Sequence, residues 1–326
     1  MSVWTSPRPR GRFNHLMNLH SSSLATRREF LAAGALAVGG AALRAGRPEA
    51  AKADAPGPGP RFPIIGFSKS FQQLTAEQTA ELVAQVGWAG IECPVRAGGQ
   101  IEPERAADEL PRFVDVLRRR NFDVQLVTTD ITSLKTPHAE TVLRTLAKLG
   151  IKRFRLGFFK YEAVGWPPDR LKEIAPALRD IAAVCKELGL QAGFQNHSGR
   201  DYVGAALWDV FTMIRELDSR QMGFCFDIGH ATIEGGLSWP TDARLAEPYL
   251  TAVLVKDFSW RKEAAGWREA WCPLGEGMVS RHFFDWLKQT AYRGPISQYH
   301  EYPLGDASEM VAHFRHDLKV LQEWVA

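Results

Sequence analysis

Cysteine is scarce in this chain: 326 residues hold only Cys93, Cys185, Cys225 and Cys272, with no Cys-x-x-Cys spacing. That excludes a disulfide-built scaffold and a thiolate zinc site. Cys225, inside an apolar run, and Cys185, in a helical pattern, read as buried free thiols. No uncharged apolar run reaches the about 20 residues that cross a bilayer. No Gly-x-Gly-x-x-Gly follows the first apolar run, so the dinucleotide fingerprint is missing. Compositional bias is missing too: 45% hydrophobic and 24% charged is ordinary for a globular chain. The formal net charge of +3 is concentrated, because residues 1–53 carry eight Lys/Arg against Glu29 and Glu49, a net +6 that leaves −3 for the remainder. A body of that sign offers no electrostatic footprint for nucleic acid or an anionic membrane.

The N-terminal segment reads as an address. Thr26-Arg27-Arg28-Glu29-Phe30-Leu31 places paired arginines before Ala32–Leu43, a short uncharged run of Ala, Gly, Leu and Val. Ala51-Lys52-Ala53 supplies the small residues that a signal peptidase reads, so cleavage is expected after Ala53. The pattern resembles a twin-arginine export signal over 1–53, preceded by a Pro/Arg-rich extension in which Met17 is an alternative start. It implies a folded protein handed to the twin-arginine machinery and released to the periplasm or beyond, with no membrane span after cleavage. Residues 54–61 are rich in Pro and Gly and read as a linker.

From residue 62 onward the chain alternates. Apolar, β-branched or aromatic runs near 62–68, 90–94, 123–129, 153–158, 191–195, 222–227, 250–256 and 294–301 read as strands. Between them lie amphipathic stretches over 76–86, 110–120, 140–149, 169–188, 203–217 and 283–290, and 310–324 closes the chain. Only 242–248 offers itself between the sixth and seventh strands. Eight βα units over about 265 residues fit one α/β domain over 62–326, a (β/α)8 TIM barrel.

The chemistry of such a barrel sits where strands end, and here those ends are polar. The second strand carries Glu92, the fifth Gln195-Asn196-His197, the sixth Asp227 and His230, the seventh Lys256-Asp257, the eighth His300-Glu301. Each has a plain structural alternative: Asp227 as a helix cap, a histidine satisfied in the core, Lys256–Asp257 as a surface pair. Together they are costly to bury unless they satisfy one another or hold an ion. Carboxylate and amide oxygens with one imidazole suit a hard divalent cation, which makes Gln195, Asp227, Glu301 and a histidine a candidate shell.

These residues resemble the xylose isomerase-like TIM barrel superfamily, often labelled sugar phosphate isomerase/epimerase. The likeness rests on Trp88-Ala89-Gly90-Ile91-Glu92, Asp227-Ile228-Gly229-His230, Val255-Lys256-Asp257, Pro273-Leu274-Gly275-Glu276-Gly277 and His300-Glu301-Tyr302-Pro303. It implies one divalent ion (Mn, Mg, Co or Zn) held by a Glu, an Asp, a His and a Glu after strands five to eight. Asp227 and Glu301 match two of these ligands, and His230 matches a histidine beside metal or substrate. Two positions depart: the first Glu is Gln195 and the strand-seven His is Leu254. A Gln takes up no proton, so a two-base epimerase loses ground to a one-base isomerisation or elimination.

The expected chemistry is proton abstraction next to a sugar carbonyl, with Glu301 as base, Lys256 steadying negative charge and His230 or His197 protonating an oxygen. Glu92, Asn196, Asp257, His300 and Trp260 are the expected substrate contacts. The alternatives are a carbohydrate-binding barrel without turnover, suggested by Gln195 and Leu254, and an endonuclease IV-like phosphodiesterase, which the missing basic track disfavours. A glycoside hydrolase would have only Glu92 and Glu301 to use. No phosphate cradle marks the last two strands, and the sequence leaves oligomerisation open.

Overall fold

The computed structural model describes residues 61–326. The export signal expected over 1–53, and the linker apart from Arg61, lie outside the described residues. Eight parallel strands close into a barrel: β1 (Ile64–Phe67), β2 (Gly90–Pro94), β3 (Asp123–Thr128), β4 (Arg153–Arg155), β5 (Gln191–Gln195), β6 (Met222–Asp227), β7 (Leu250–Val255) and β10 (Ile296–Gln298). Neighbours pair in chain order, and β10 joins β1 through Ile64↔Ile296 to shut the ring. The fold is the expected α/β (β/α)8 barrel, and the strands fall where the apolar runs put them.

Around it stand α1 (Ala76–Val86), α2 (Ala106–Arg119), α3 (Ala139–Leu149), α4 (Pro167–Leu188), α5 (Trp208–Ile214), α6 (Ile228–Gly235), α7 (Trp239–Ala246), α8 (His282–Leu287) and α9 (Ala307–Val325). Local chemistry sets their ends. Thr75 and Gln78 form a capping box at the start of α1, and Gly87, at φ +97°, stops it in the left-handed conformation that glycine adopts without strain. Thr79, Ala80, Leu82, Val83 and Val86 supply its buried stripe. Asp306 and Glu309 cap α9 in the same way, and its Phe314 packs on Trp88 and Phe71.

The barrel interior is filled by Ile65, Phe67, Leu126, Cys225, Ala252, Leu254 and Tyr299. Strands β5 and β6 approach so closely there that a Cβ on Gly193 would lie 2.3 Å from Cys225 Sγ. Cys93, Cys185 and Cys225 are free and buried, and Cys272 is free and partly buried.

Two departures from the sequence reading matter for the site. The stretch between β6 and β7 holds two helices, α6 and α7, where only 242–248 looked helical. In addition, β8 (Asp257–Glu263) and β9 (Gly266–Cys272) form an antiparallel hairpin after β7, outside the barrel sheet. Asp257 anchors its base by accepting the N–H groups of Phe258, Gly275, Gly277 and Val279 at 2.8–3.1 Å.

Candidate active site

The polar strand ends converge at the C-terminal mouth of the barrel, as the alternation requires. Asp227, the last residue of β6, caps α6 through the His230 N–H at 3.0 Å. Its carboxylate is fully enclosed, and its other oxygen accepts the Gln195 amide at 3.0 Å and faces Lys256 Nζ at 3.7 Å. Lys256 Nζ stands equally far, 3.7 Å, from Glu301 Oε1. Lys69, two residues after β1, reaches the same Glu301 at 3.2 Å. Burial pushes the Asp227 carboxyl up, while Lys256, the His230 N–H and Gln195 pull it back.

Gly229 explains part of the Asp227-Ile228-Gly229-His230 pattern. The Lys256 stem crosses it so closely that a Cβ would lie 2.8 Å from the Lys256 carbonyl and 3.1 Å from its Cγ. Glycine therefore lets the lysine cross the start of α6 to its two carboxylates.

Beneath them lies a second layer. Arg155, ending β4, donates to Gln195 Oε1 at 2.7 Å and sits 4.0 Å from Glu92. Glu92 accepts Thr128 Oγ1 and the Tyr299 hydroxyl, the latter at 2.8 Å. Burial raises Glu92, and Arg155 is the chief opposing influence. Basic and acidic side chains thus stand in pairs: Arg155 with Glu92, Lys256 with Asp227, Lys69 with Glu301.

Two histidines and an aromatic wall complete the mouth. His197 stacks on Tyr202 at 4.3 Å, lies 4.0 Å from the His230 ring and takes the edge of Phe158 at 4.8 Å. Its Nδ1 is 2.7 Å from the Ser198 carbonyl, which only accepts, so Nδ1 carries the proton and Nε2 the lone pair. Burial lowers His197 to about 4, which keeps it neutral near pH 7. His230 Nδ1 meets Ser198 Oγ at 2.7 Å, while its Nε2 has no hydrogen-bond partner and faces Asp227 at 3.6 Å.

The expected metal shell, Gln195, Asp227, Glu301 and His230, does gather at this mouth, but its donor atoms do not fit a divalent ion. An arginine can only donate, so Arg155 holds the Gln195 oxygen and turns the NH2 group toward Asp227. An NH2 group does not ligate a cation. The Lys256 ammonium already bridges the two carboxylates. Leu254 is buried in the apolar interior. Among the described residues no group of three or more His, Cys, Asp or Glu is arranged to hold a metal.

Four expected substrate contacts are committed to internal contacts instead. Glu92 is enclosed by Thr128, Tyr299 and Arg155. Asn196 clamps β5 to β6 through both the N–H and the carbonyl of Asp227 at 2.8 and 2.9 Å. Asp257 holds the hairpin base. His300 is buried against Phe314 and Trp88, 3.4 Å from Asp317, because its ring turns outward under α9 rather than into the mouth. Trp260 stands exposed on the hairpin. The sequence reading passed over Lys69, Arg155, Thr128, Tyr299 and Ser198. A charged residue inside the apolar run Phe154-Arg155-Leu156 was the available signal for Arg155.

The sequence profile of the family described as xylose isomerase-like TIM barrel matches residues 80–324. This chain belongs to that family. No curated protein matches the sequence of this chain significantly. Solved structures do. The apo 3-keto-D-glucoside 4-epimerase YcjR from E. coli superposes with a TM-score of 0.63 at 15% identity, covering 80% of this chain and 99% of its own. The D-psicose 3-epimerase of Clostridium cellulolyticum H10, solved with D-tagatose, gives 0.63 at 12%, covering 81% and 99%. A xylose isomerase-like TIM barrel protein of Mycobacterium smegmatis in complex with magnesium gives 0.59 at 16%, covering 81% and 98%. At these identities the likeness is one of fold.

Proposed function

We propose that this xylose isomerase-like barrel acts on a sugar or keto-sugar by abstracting a proton next to a carbonyl, as an isomerase, epimerase or lyase. The observation that carries the reading is the Lys256–Glu301 pair: a carboxylate 25% exposed to the mouth, with an ammonium 3.7 Å away and an aromatic wall beside it. The sugar epimerases among its structural neighbours support the substrate class.

Glu301, paired with Lys69 and Lys256, takes the proton from carbon. The C–H electrons form a carbon–carbon double bond and the carbonyl electrons move onto oxygen. The Lys256 ammonium stabilises the oxyanion, which a buried fixed charge does better than water. Return of the proton to the former carbonyl carbon, with a proton moved from one oxygen to the other, gives isomerisation; protonation of the original carbon from the opposite face by a second acid gives epimerisation; and loss of a β-substituent with the enolate electrons gives elimination. The His197 Nε2 lone pair and the unpartnered His230 Nε2 are placed to move protons between substrate oxygens. Positive charge beside Glu301 comes from Lys256 and Lys69, and no step requires a divalent cation.

A carbohydrate-binding barrel without turnover is the second reading. It is favoured by Gln195, fixed by Arg155 and unable to take a proton, and by the full enclosure of Asp227. Solvent deuterium exchange into a panel of keto-sugars, followed by NMR, separates the two. Exchange that falls by about 10²–10⁴ in Glu301→Gln supports the enzyme. Sugar binding without exchange in the unaltered protein leaves the binding barrel.

We also propose that the twin-arginine signal carries the folded barrel to the periplasm or beyond. Among the described residues no helix is long and apolar enough to cross a membrane. A mature N-terminus at Asp54, and cytoplasmic retention of an Arg27→Lys, Arg28→Lys variant, are the expected results. Release of the variant would refute the route.

A further inference from the structure

The hairpin after β7 has two unlike faces. Its register sets Phe258 opposite Trp271, Trp260 opposite Glu269 and Lys262 opposite Trp267. Directly opposed residues share a face, as do alternate residues along a strand. All four aromatics of the hairpin therefore lie on one side. The other side presents Asp257, Ser259, Arg261, Glu263, Arg268 and no aromatic ring. An apolar sheet face normally packs inward, yet here Trp260 is 41% and Trp267 65% exposed. The inner end of the line is part of the mouth, since Trp271 receives Lys256 Nζ at 4.5 Å and meets the His230 ring edge-on at 5.7 Å. Trp260 follows on the opposite strand, and beyond it Trp260 and Trp267 line an open apolar recess.

We infer that the Trp271–Trp260–Trp267 line is a run of sugar-ring subsites leading out of the mouth, so that the substrate is a glycoside or oligosaccharide whose reacting residue is at one end. This rests on the sugar reading above. Successive tryptophans are two residues apart along the strands, about 6.8 Å, a step of about one pyranose ring. The electron-rich indole face suits the C–H face of a sugar, whose hydrogens are slightly positive. Lys262 and Glu269 alternate with the indoles on the same face, in place to hydrogen-bond sugar hydroxyls. Rings separated by charged side chains suit a chain of amphipathic rings better than a continuous apolar partner. The net negative body offers nothing to an anionic lipid surface.

The test is binding, so it reads separately from turnover. Calorimetry on the mature protein would use α-1,4- and β-1,4-linked glucose oligomers of one to six units, alongside an array of other linear and branched glycans. The expected result is at least one series whose affinity rises over the first three rings. Trp260→Ala and Trp267→Ala, both at exposed positions, then each lose roughly tenfold toward the long members and nothing toward the single sugar. The inference is overturned if no glycan binds more tightly than its terminal sugar alone, if the variants keep the length dependence, or if sedimentation shows a dimer that either variant dissociates. Length-dependent binding with no deuterium exchange would retain the subsites and refute the enzyme. Exchange on a free monosaccharide without length dependence would do the reverse.

Discussion

Arg155 donates to the Gln195 amide oxygen at 2.7 Å, and that one bond determines that Gln195 turns its NH2 group, not its oxygen, toward Asp227. A neutral residue is thereby locked between a buried arginine and a buried aspartate. The mouth gains a charge-balanced network in which a lysine sits between the carboxylates.

Removing Arg155 takes from the enclosed Glu92 its ion-pair partner. Arg155→Met is expected to destabilise the fold by about 3–5 kcal/mol, the cost of breaking a buried ion pair from one side. Adding Glu92→Gln should recover most of the loss. Urea unfolding of the single and double variants measures both, and additive losses would show that the pair is uncoupled.

Gly229→Ala tests the crossing of Lys256 over the start of α6. The added Cβ would lie 2.8 Å from the Lys256 carbonyl, so the lysine must shift or the fold must yield about 1–3 kcal/mol. The expected signature is a fall in kcat larger than the fall in stability. Wild-type kcat with reduced Tm would mean that the lysine position is not needed for turnover.

Chelation should change nothing. Dialysis against EDTA is expected to leave Tm and turnover where they were, and added Mn, Mg, Co or Zn should not raise Tm as a ligand of the folded state would. A Tm that climbs with cation concentration and is lost in Asp227→Ala would show that a divalent ion displaces the Lys256 contacts.

Acid should weaken the fold through its buried histidines. Burial lowers His197 to about 4 and His300 to about 3, from an ordinary value of 6.5. As pH falls below 6.5 the unfolded chain binds these protons first, so their contribution drains away between pH 6.5 and about 3. Asp317 runs the other way: burial raises it to about 6, so its contribution is full below its ordinary value of 3.8 and lost as pH rises toward 6. Comparing urea midpoints at pH 7, 5 and 4 with those of a His197→Gln, His300→Phe variant isolates the histidines. A variant no flatter in pH than the parent would discount them.

The sequence reading located the elements well where one physical signal was unopposed. Apolar runs bounded by turn residues gave all eight barrel strands, and the buried stripe of 76–86, with Thr75 and Gly87 at its ends, gave α1 to the residue. The hairpin was missed although Phe258, Trp260, Trp267 and Trp271 carry a two-residue alternation around the Ala264-Ala265-Gly266 turn. Trp260 and Trp267 face outward and its outer half is charged, so it resembles loop as much as strand. The short α6 was hidden because it begins directly after β6, without an amphipathic stripe.

Residue order alone determined that the chain alternates strand and helix, that the polar groups follow strands, and therefore that they meet at one mouth. A strand's direction and its successor helix leave no other place for them. Tertiary structure decided what those groups do on meeting. Whether a glutamine shows oxygen or nitrogen, whether His300 faces the mouth or α9, and whether a cation or Lys256 stands between Asp227 and Glu301 depend on side chains brought together from separate elements of the fold. Those are electrostatic choices among groups in mutual contact, and no local pattern encodes them.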